Sequence, residues 1–433
     1  MVRQIFPILA LLGGMVFLMS GSGLQGILVP VRGQIDGFSA FQLGWIGTGY
    51  AIGFTIGCLL IPRLVRRVGH VRTFSTLTAL LSVGVLLNGL IVHPLMWALL
   101  RGVGGFCIAG CYMVAESWLN ERVSNEQRGT MFSIYAMTTM VAMMAGQYML
   151  VVAEPTKETL FMLAAILYAL AIVPTAVSKA QSPAPLTQVD LDLPALFRNS
   201  PAAFVGAILC GIISSAWTNF GPVFGQQNGF SSASIATLLA ASMVGSIAFQ
   251  YPLGKLSDMI DRRYAMVLAG MVGIITGTIV TWQAGLGLYG FFFFASVVGY
   301  GGVIYSIYSL VVAHANDYAK PGEFVKTSGG LLILYGLGTI IGPLLTAQMM
   351  EQFGPSGVFT TTTISHLAFA SYAMYRSFRR QRATAEDRTD FQTTGMARTQ
   401  TPETYILDPR SDESWNAEDS FELQPLPPAV KID

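Results

Sequence analysis

Charged side chains are scarce in this sequence. Only 11% of its 433 residues are Asp, Glu, Lys or Arg, whereas 52% are hydrophobic and the mean hydropathy is +0.55. An average soluble domain has roughly 25% charged residues, so this chain has too few to cover a water-exposed surface. The composition excludes an ordinary soluble enzyme and indicates an integral membrane protein.

Other common functional signals are also missing. The four cysteines, Cys58, Cys107, Cys111 and Cys210, all lie in apolar runs, so we predict no disulfide framework, metal site or cofactor. No basic stripe with interleaved aromatic residues occurs, which argues against a nucleic-acid partner. No His/Asp/Cys constellation lies at a predicted membrane face, so we do not expect an enzyme.

Long apolar stretches fill most of the chain as far as residue 376. A helix needs about 20 mostly apolar residues to cross the roughly 30 Å hydrocarbon core of a bilayer, and polar breaks divide the chain into such lengths. We therefore predict twelve transmembrane spans, at residues 5–29, 42–61, 74–92, 95–117, 130–152, 159–177, 203–224, 233–253, 265–284, 287–313, 327–349 and 357–375.

The distribution of Lys and Arg between the loops predicts the orientation. With a cytoplasmic N-terminus, 18 of these residues fall in cytoplasmic segments, and the opposite loops contain only Arg32 and Lys157. Because basic residues concentrate on the cytoplasmic side of membrane proteins, both termini are expected to be cytoplasmic.

The sequence contains an internal repeat. Pro30–Ala40 returns as Pro222–Ser232 with seven identities in eleven positions, and Arg101–Gly105 matches Val298–Gly302 at a shift of 197. Each match joins one span to the span six places later. Two six-helix halves with parallel topology are typical of transporters built from repeated halves.

These observations predict four segments. Two six-helix bundles occupy residues 1–177 and 203–376, and a polar cytoplasmic linker at 178–202 joins them. Residues 377–433 are rich in Thr, Asp, Glu and Pro and lack apolar periodicity, so we expect a disordered cytoplasmic tail.

The loop at Gly254–Arg263 resembles the signature between the second and third spans of the major facilitator superfamily. The aligned first-half stretch, Pro62–His70, has Arg66 where that signature has an acid. Together with Ala115–Glu121, these segments are similar to a bacterial subgroup whose substrates are mostly unassigned. The resemblance implies an all-α fold of twelve transmembrane helices in two halves, in the bacterial inner membrane.

The resemblance also implies a function, the secondary active transport of a small solute by alternating access. Two alternatives remain open: a non-transporting receptor or scaffold on the same fold, and a drug or metabolite exporter of broad specificity. The superfamily's antiporter pattern in the fifth span is absent, because Met143–Gln147 contains no proline.

Arg101 is the candidate that stands out within the membrane, since it lies well inside the fourth predicted span. A charge at that depth is costly and indicates function. It would either face an anionic or acceptor-rich solute or form a structural ion pair or backbone contact.

Further candidates for solute binding are polar and aromatic residues on spans that line or flank the central cavity in the resembled fold. Tyr112 lies within about 20° of the helix face that carries Arg101. Each candidate has the alternative role of an interhelical hydrogen bond or an interfacial aromatic. The set is Gln25, Tyr50, Tyr112, Gln147, Trp217, Asn219, Tyr305 and Tyr335.

Charged residues near the cytoplasmic helix ends suit a gate or a latch between the halves, with membrane anchoring and helix capping as the alternative. Glu116, near the inner end of the fourth span, is also the candidate carrier of a coupling proton, with an ion pair to Arg66 and Arg67 as the alternative. No Asp or Glu lies near the middle of a predicted span. The gating candidates are Arg66, Arg67, Glu116, Glu121, Asp258, Arg262 and Asp317.

Overall fold

The computed structural model describes residues 2–122, 127–177, 192–320, 323–379, 391, 396–407 and 411. These residues are almost entirely helical and include no β-strand. The first half contains α1 Val2–Ile35, α2 Ala40–Val68, α3 His70–Leu90, α4 Pro94–Arg122, α5 Arg128–Tyr148, α6 Thr159–Leu170 and α7 Ile172–Val177, with α6 and α7 forming the sixth predicted span.

A short helix, α8, precedes the second half. The helices are α8 Leu193–Asn199, α9 Pro201–Gln227, α10 Ser232–Met259, α11 Arg262–Gly285, α12 Phe291–Asn316, α13 Phe324–Phe353, α14 Gly357–Arg379 and, in the C-terminal tail, α15 Pro402–Leu407. Every predicted span lies mostly in helix, although the predicted span 287–313 begins four residues before α12. Several helices extend beyond the predicted apolar segments, as α2 does by continuing through Pro62 to Val68.

Helix length and hydropathy establish a multi-pass membrane protein. In the described part of the chain, ten apolar helical stretches are long enough to cross a membrane. One of them, Phe324–Arg379, contains both α13 and α14, and the sixth span is a shorter apolar helix. The all-α architecture predicted from the sequence is therefore confirmed.

The two halves use the same turn before their second span. Ser39 and Ser231 cap α2 and α10 with nearly identical backbone angles, φ −64° and ψ 157° or 158°. Two residues before these serines, Gly37 and Gly229 have φ of 79° and 71°, a left-handed conformation that glycine adopts without strain. The sequence repeat is thus a repeat of local structure.

Helix packing repeats as well. A Cβ atom at Gly53 would collide with the carbonyl oxygen of Gly102, and one at Gly245 would collide with that of Val298. The approach of α2 to α4 in the first half is thus equivalent to the approach of α10 to α12 in the second half. Gly102 therefore corresponds to Val298, which is a sequence offset of 196 between the halves. This corrects the predicted shift of 197, and Arg101 corresponds to Val297.

The halves touch at one end of the bundle. We call the end that carries Arg66 and Arg263 the arginine-rich end. At the opposite end, Gln227 donates a hydrogen bond to Gln34 over 3.0 Å, and Thr48 donates one to the Ile340 carbonyl over 2.8 Å. These contacts join the two halves at the opposite end.

The C-terminal tail differs from the sequence prediction. Residues 396–407 were expected to be disordered, but they contain a short turn at Ala397–Thr399 and helix α15, and they pack between the two halves. Met396, Thr401 and Tyr405 are at most 4% exposed. Polar side chains of this segment pair with polar groups on the helices, as Thr401 does with Glu116.

Candidate functional site

A cavity of about 340 Å³ lies between the two halves. Its lining comes from α1, α2, α4 and α5 of the first half, and from α9 and α13 of the second half. Residues Ala397, Arg398, Thr399 and Pro402 of the tail form the rest of the wall. The cavity therefore has walls from both halves and from the tail, an arrangement suited to a central binding site.

Five of the nine predicted solute-binding residues line this cavity. They come from four different helices and combine one cation, three phenols and one amide. They are Tyr50, Arg101, Tyr112, Asn219 and Tyr335. The sequence pattern thus brought together residues that are as far as 285 positions apart.

Arg101 has no ion-pair partner among the described residues. Its guanidinium carbon lies 4.4 Å from the centroid of the Tyr50 ring, a cation–π contact. Its Nε is buried and makes no hydrogen bond to a described residue. The group therefore faces the cavity with unused donor capacity.

Neutral hydrogen bonds orient the other polar side chains of the cavity wall. Tyr335 donates to Ser214 over 2.9 Å, and Asn219 donates to the Ser215 carbonyl over 2.8 Å. Asn219 keeps an amide oxygen that lies beside Gly47. These contacts hold the wall in place without neutralising Arg101.

The other four candidates are not among the residues that line the cavity. Gln25 accepts a hydrogen bond from Tyr168 over 2.8 Å inside the first half, and Trp217 donates to a serine of α10 over 2.9 Å. Gln147 and Tyr305 are also buried. In this structure these side chains contribute to helix packing within each half.

Charged gating candidates cluster in the second half at the arginine-rich end. Arg262 is buried and pairs with Asp317 at 2.6 Å and with Asp258 at 3.0 Å. Burial alone would raise the pKa of Asp261 nearby, but hydrogen bonds from Arg263 hold that pKa below its usual value. This network joins α10, α11 and α12 within one half.

The first-half gating candidates have different surroundings. Arg66, Arg67 and Glu121 are exposed. Glu116 is fully buried and accepts hydrogen bonds from Tyr135 and from Thr401 of the tail. The tail therefore occupies the place where a latch between the halves was expected.

Sequence reasoning missed the tail as a source of site residues. Arg398 lines the cavity and donates a hydrogen bond to Thr218 over 3.0 Å. The segment is short and polar, so no apolar run or helical period indicates that it is buried. Its only sequence signal is a lone arginine in a region rich in Thr and acidic residues.

Comparison with known proteins identifies the family. The family model described as Major Facilitator Superfamily matches residues 10–316 and 202–400. An "Uncharacterized MFS-type transporter YcaD" from Escherichia coli O139:H28 is 24% identical over 357 residues, which cover 82% of this chain and 91% of the relative. The protein of the same name from Shigella sonnei has the same identity and coverage.

Solved structures share the fold. A mutant of the nucleoside transporter NupG has a TM-score of 0.72 at 14% identity, covering 87% of this chain and 100% of that chain. A bacterial homologue of the human lysosomal transporter Spinster, in an inward-facing and unoccupied conformation, has a TM-score of 0.69 at 15% identity, with coverages of 89% and 98%. The family match, the helical architecture and the repeated halves together show that this chain belongs to the major facilitator superfamily.

Proposed function

We propose that this protein is a secondary active transporter that moves a small anionic or acceptor-rich solute by alternating access. The family supports a transporter, and Arg101 carries the choice of solute. An arginine without a carboxylate partner favours a ligand that brings negative charge or strong hydrogen-bond acceptors. Its unbonded Nε supports this choice over a structural ion pair.

We further propose that the arginine-rich end faces the cytoplasm of a bacterial cell, with the protein in the inner membrane. The excess of Lys and Arg in the loops at that end supports this orientation. The contacts between Gln34 and Gln227 at the opposite end then describe an arrangement closed to the outside. A cysteine placed in the loop 226–232 should react with an impermeant thiol reagent from outside, and one at 185 should not.

We also retain Glu116 as the proposed carrier of a coupling proton. It is buried, and the Tyr135 hydroxyl donates to its carboxylate over 3.2 Å. Replacement by glutamine keeps the size of the side chain and removes the titratable group. Glu116→Gln protein should exchange solute across a vesicle membrane but should not accumulate it in response to a pH gradient.

A ligand screen on the purified protein tests the solute class. A compound that binds the folded state raises the apparent melting temperature by mass action. We expect carboxylates and phosphate esters to raise it and cationic compounds to leave it unchanged. Stabilisation by hydrophobic cations alone would favour a broad-specificity exporter, and stabilisation without any flux in vesicles would favour a receptor.

Variants of Arg101 complete the test. Arg101→Lys keeps the charge but lacks the planar pair of donors, so it should weaken anion binding, whereas Arg101→Gln should abolish it. Arg63→Gln, which removes an exposed arginine of α2 that is neither a gating candidate nor part of the cavity lining, is the matched control and should bind normally. A ligand-free Arg101→Gln protein that melts well below wild type would instead indicate a structural role.

A further inference from the structure

Two arginines face the same cavity. Arg101 reaches it from α4, and Arg398 reaches it from the C-terminal tail. Both guanidinium groups act electrostatically on Tyr50, and they repel each other. No described carboxylate lies within ion-pair distance of either group.

Neutral atoms from both halves hold Arg398 in place. Its Nη1 donates to the Thr218 hydroxyl on α9 over 3.0 Å, and its Nη2 contacts the sulfur of Met143 on α5. These contacts fix the position of the guanidinium but do not balance its charge. Two uncompensated cations in a partly dehydrated cavity are unfavourable.

The segment around Arg398 is firmly seated. Thr401 donates to Glu116, and the Tyr405 hydroxyl lies 2.9 Å from that of Tyr308 on α12. Upstream, the backbone N–H of Phe391 donates to the carboxylate of Asp258 over 3.1 Å. Contacts on both sides of Arg398 therefore set its position in the cavity wall.

We propose that the docked C-terminal segment supplies Arg398 as a second anion-binding group of the solute cavity, which together with Arg101 takes a small dianion. Two guanidinium forks suit a dicarboxylate or a phosphate, because each planar fork offers paired donors to such oxygens. This inference rests on the proposed function and specifies its substrate class. An anion between the two groups replaces their repulsion with two attractive contacts.

The arrangement links solute binding to the position of the tail. If a dianion binds more tightly when the tail is docked, then by reciprocity it also favours the docked tail. Ala397 and Pro402 of the docked segment form part of the cavity wall, and Phe391, upstream of them, is bonded to Asp258 at the arginine-rich end, so the segment lies between the cavity and that end. Release of solute at that end therefore requires the tail, and Arg398 with it, to leave.

The test uses the full-length purified protein and three anions as probes: succinate, inorganic phosphate and propionate. Binding is measured as the shift in melting temperature across a concentration series at fixed ionic strength. Wild-type protein should bind succinate or phosphate at least tenfold more tightly than propionate. Comparison of succinate with phosphate shows which spacing of negative charge the site accepts.

Variants separate this inference from the proposed function. Arg398→Gln should reduce dianion affinity to that of propionate, whereas Arg379→Gln should not change it. Arg379 is the matched control because it stacks on Tyr375 at the end of α14 and does not line the cavity. Hydrogen exchange of residues 396–407 should also slow when a dianion is added to wild-type protein.

Each remaining outcome decides between the two proposals. If Arg398→Gln binds dianions like wild type while Arg101→Gln binds none, the anionic solute stands and the role of Arg398 is refuted. If both variants bind normally, both proposals fail. Absence of binding by all three anions, or equal affinity for propionate and the dianions, also overturns the two-arginine site.

Discussion

Thr401 donates a hydrogen bond to Glu116, across 285 positions of sequence. Glu116 is fully buried on α4, and its other carboxylate oxygen accepts from Tyr135. The tail is therefore attached to the core of the first half through a polar group that has no access to water. This contact provides a direct way to test whether the tail is docked.

Replacement of Thr401 by valine should release the tail. The substitution keeps the shape of the side chain but removes a donor to a buried carboxyl, which costs roughly 1–3 kcal/mol. Cys58 reports on the opening because it lines the cavity, whereas the other three cysteines are buried. An impermeant maleimide should modify Cys58 about tenfold faster in the Thr401→Val protein.

The control for this experiment lies two residues away. The Thr399 hydroxyl donates to the nearby Met396 carbonyl over 2.8 Å, within the tail itself. Thr399→Val should therefore leave the rate of Cys58 modification close to that of wild type. Equal acceleration by both substitutions would mean that the bond to Glu116 does not hold the tail.

Docking of the tail should also depend on pH through Glu403. This residue on α15 is 4% exposed, its Oε1 has no hydrogen-bond partner in the part of the chain that the structure describes, and burial raises its pKa to about 8. A free glutamate has a pKa of about 4.3, so the docked tail binds a proton more tightly than the released tail. Docking should be strongest at low pH and weaken as the pH rises from about 4.3 towards 8.

Hydrogen exchange of residues 396–407, corrected for the intrinsic effect of pH on exchange, measures this dependence. Protection should fall between pH 6 and pH 8 in wild-type protein. Glu403→Gln cannot ionise and should keep its protection across that range. Glu116 is also buried and interacts electrostatically with Glu403. A Glu116→Gln control therefore measures how much of the pH dependence of protection comes from Glu116. If protection in the Glu403→Gln protein still falls with pH as it does in wild type, Glu403 is not the group that titrates.

The architecture could be predicted from the sequence because each span is an apolar run of sufficient length and the halves repeat. Arg101 could be singled out from the same pattern, because it is a charged residue inside one of these apolar runs. The four candidates outside the cavity lining are polar or aromatic residues, like the five that line it. Only helix rotation distinguishes them: the side chain of Trp217 bonds within its half, whereas Asn219, two residues later, reaches the cavity.

The tail could not be predicted in this way. Hydropathy detects segments buried in lipid, but residues 396–407 are buried against polar side chains such as Glu116 and Tyr308. The segment's few apolar residues, such as Met396 and Ala397, join the core, but polar residues interrupt them and they form no long apolar run. Its place is determined by long-range hydrogen bonds, which leave no periodic pattern in the sequence.

The ion pair between Arg262 and Asp317 should contribute strongly to stability. Its side chains are 2% and 3% exposed and lie 2.6 Å apart, so removal of Asp317 takes away the more deeply buried of the two carboxylates that pair with Arg262. Asp317→Asn should lower the free energy of unfolding by roughly 3–5 kcal/mol. Unfolding of the purified protein in detergent, followed by intrinsic fluorescence, measures the change.

An exposed pair provides the contrast. Lys157 and Glu154 lie 3.0 Å apart, but their side chains are 64% and 69% exposed. Lys157→Gln should therefore change stability by no more than about 1 kcal/mol. A similar loss in both variants would mean that burial does not distinguish the two pairs.

Close helix approach should make Gly53 and Gly245 sensitive to the smallest substitution. In each case, an added methyl group would meet a backbone carbonyl oxygen of the neighbouring helix, on α4 or on α12. Overpacking of this kind typically costs 1–3 kcal/mol. Gly53→Ala and Gly245→Ala should both melt at lower temperature, while Gly84→Ala, with no neighbouring atom within 4 Å, should not.

Alternating access predicts that the contact between Gln34 and Gln227 must break during transport. Their side chains meet across the two halves at the closed end, with 3.0 Å between the amide nitrogen and oxygen. Cysteines at both positions, joined by a short bifunctional maleimide in a Cys58→Ser background, should stop uptake of any anion found in the ligand screen. A matched pair at Ser39 and Gln42 lies within one half and should be joined without loss of uptake. Normal uptake by the protein joined across the halves would show that this end does not open, and the alternating-access mechanism would then have to be abandoned.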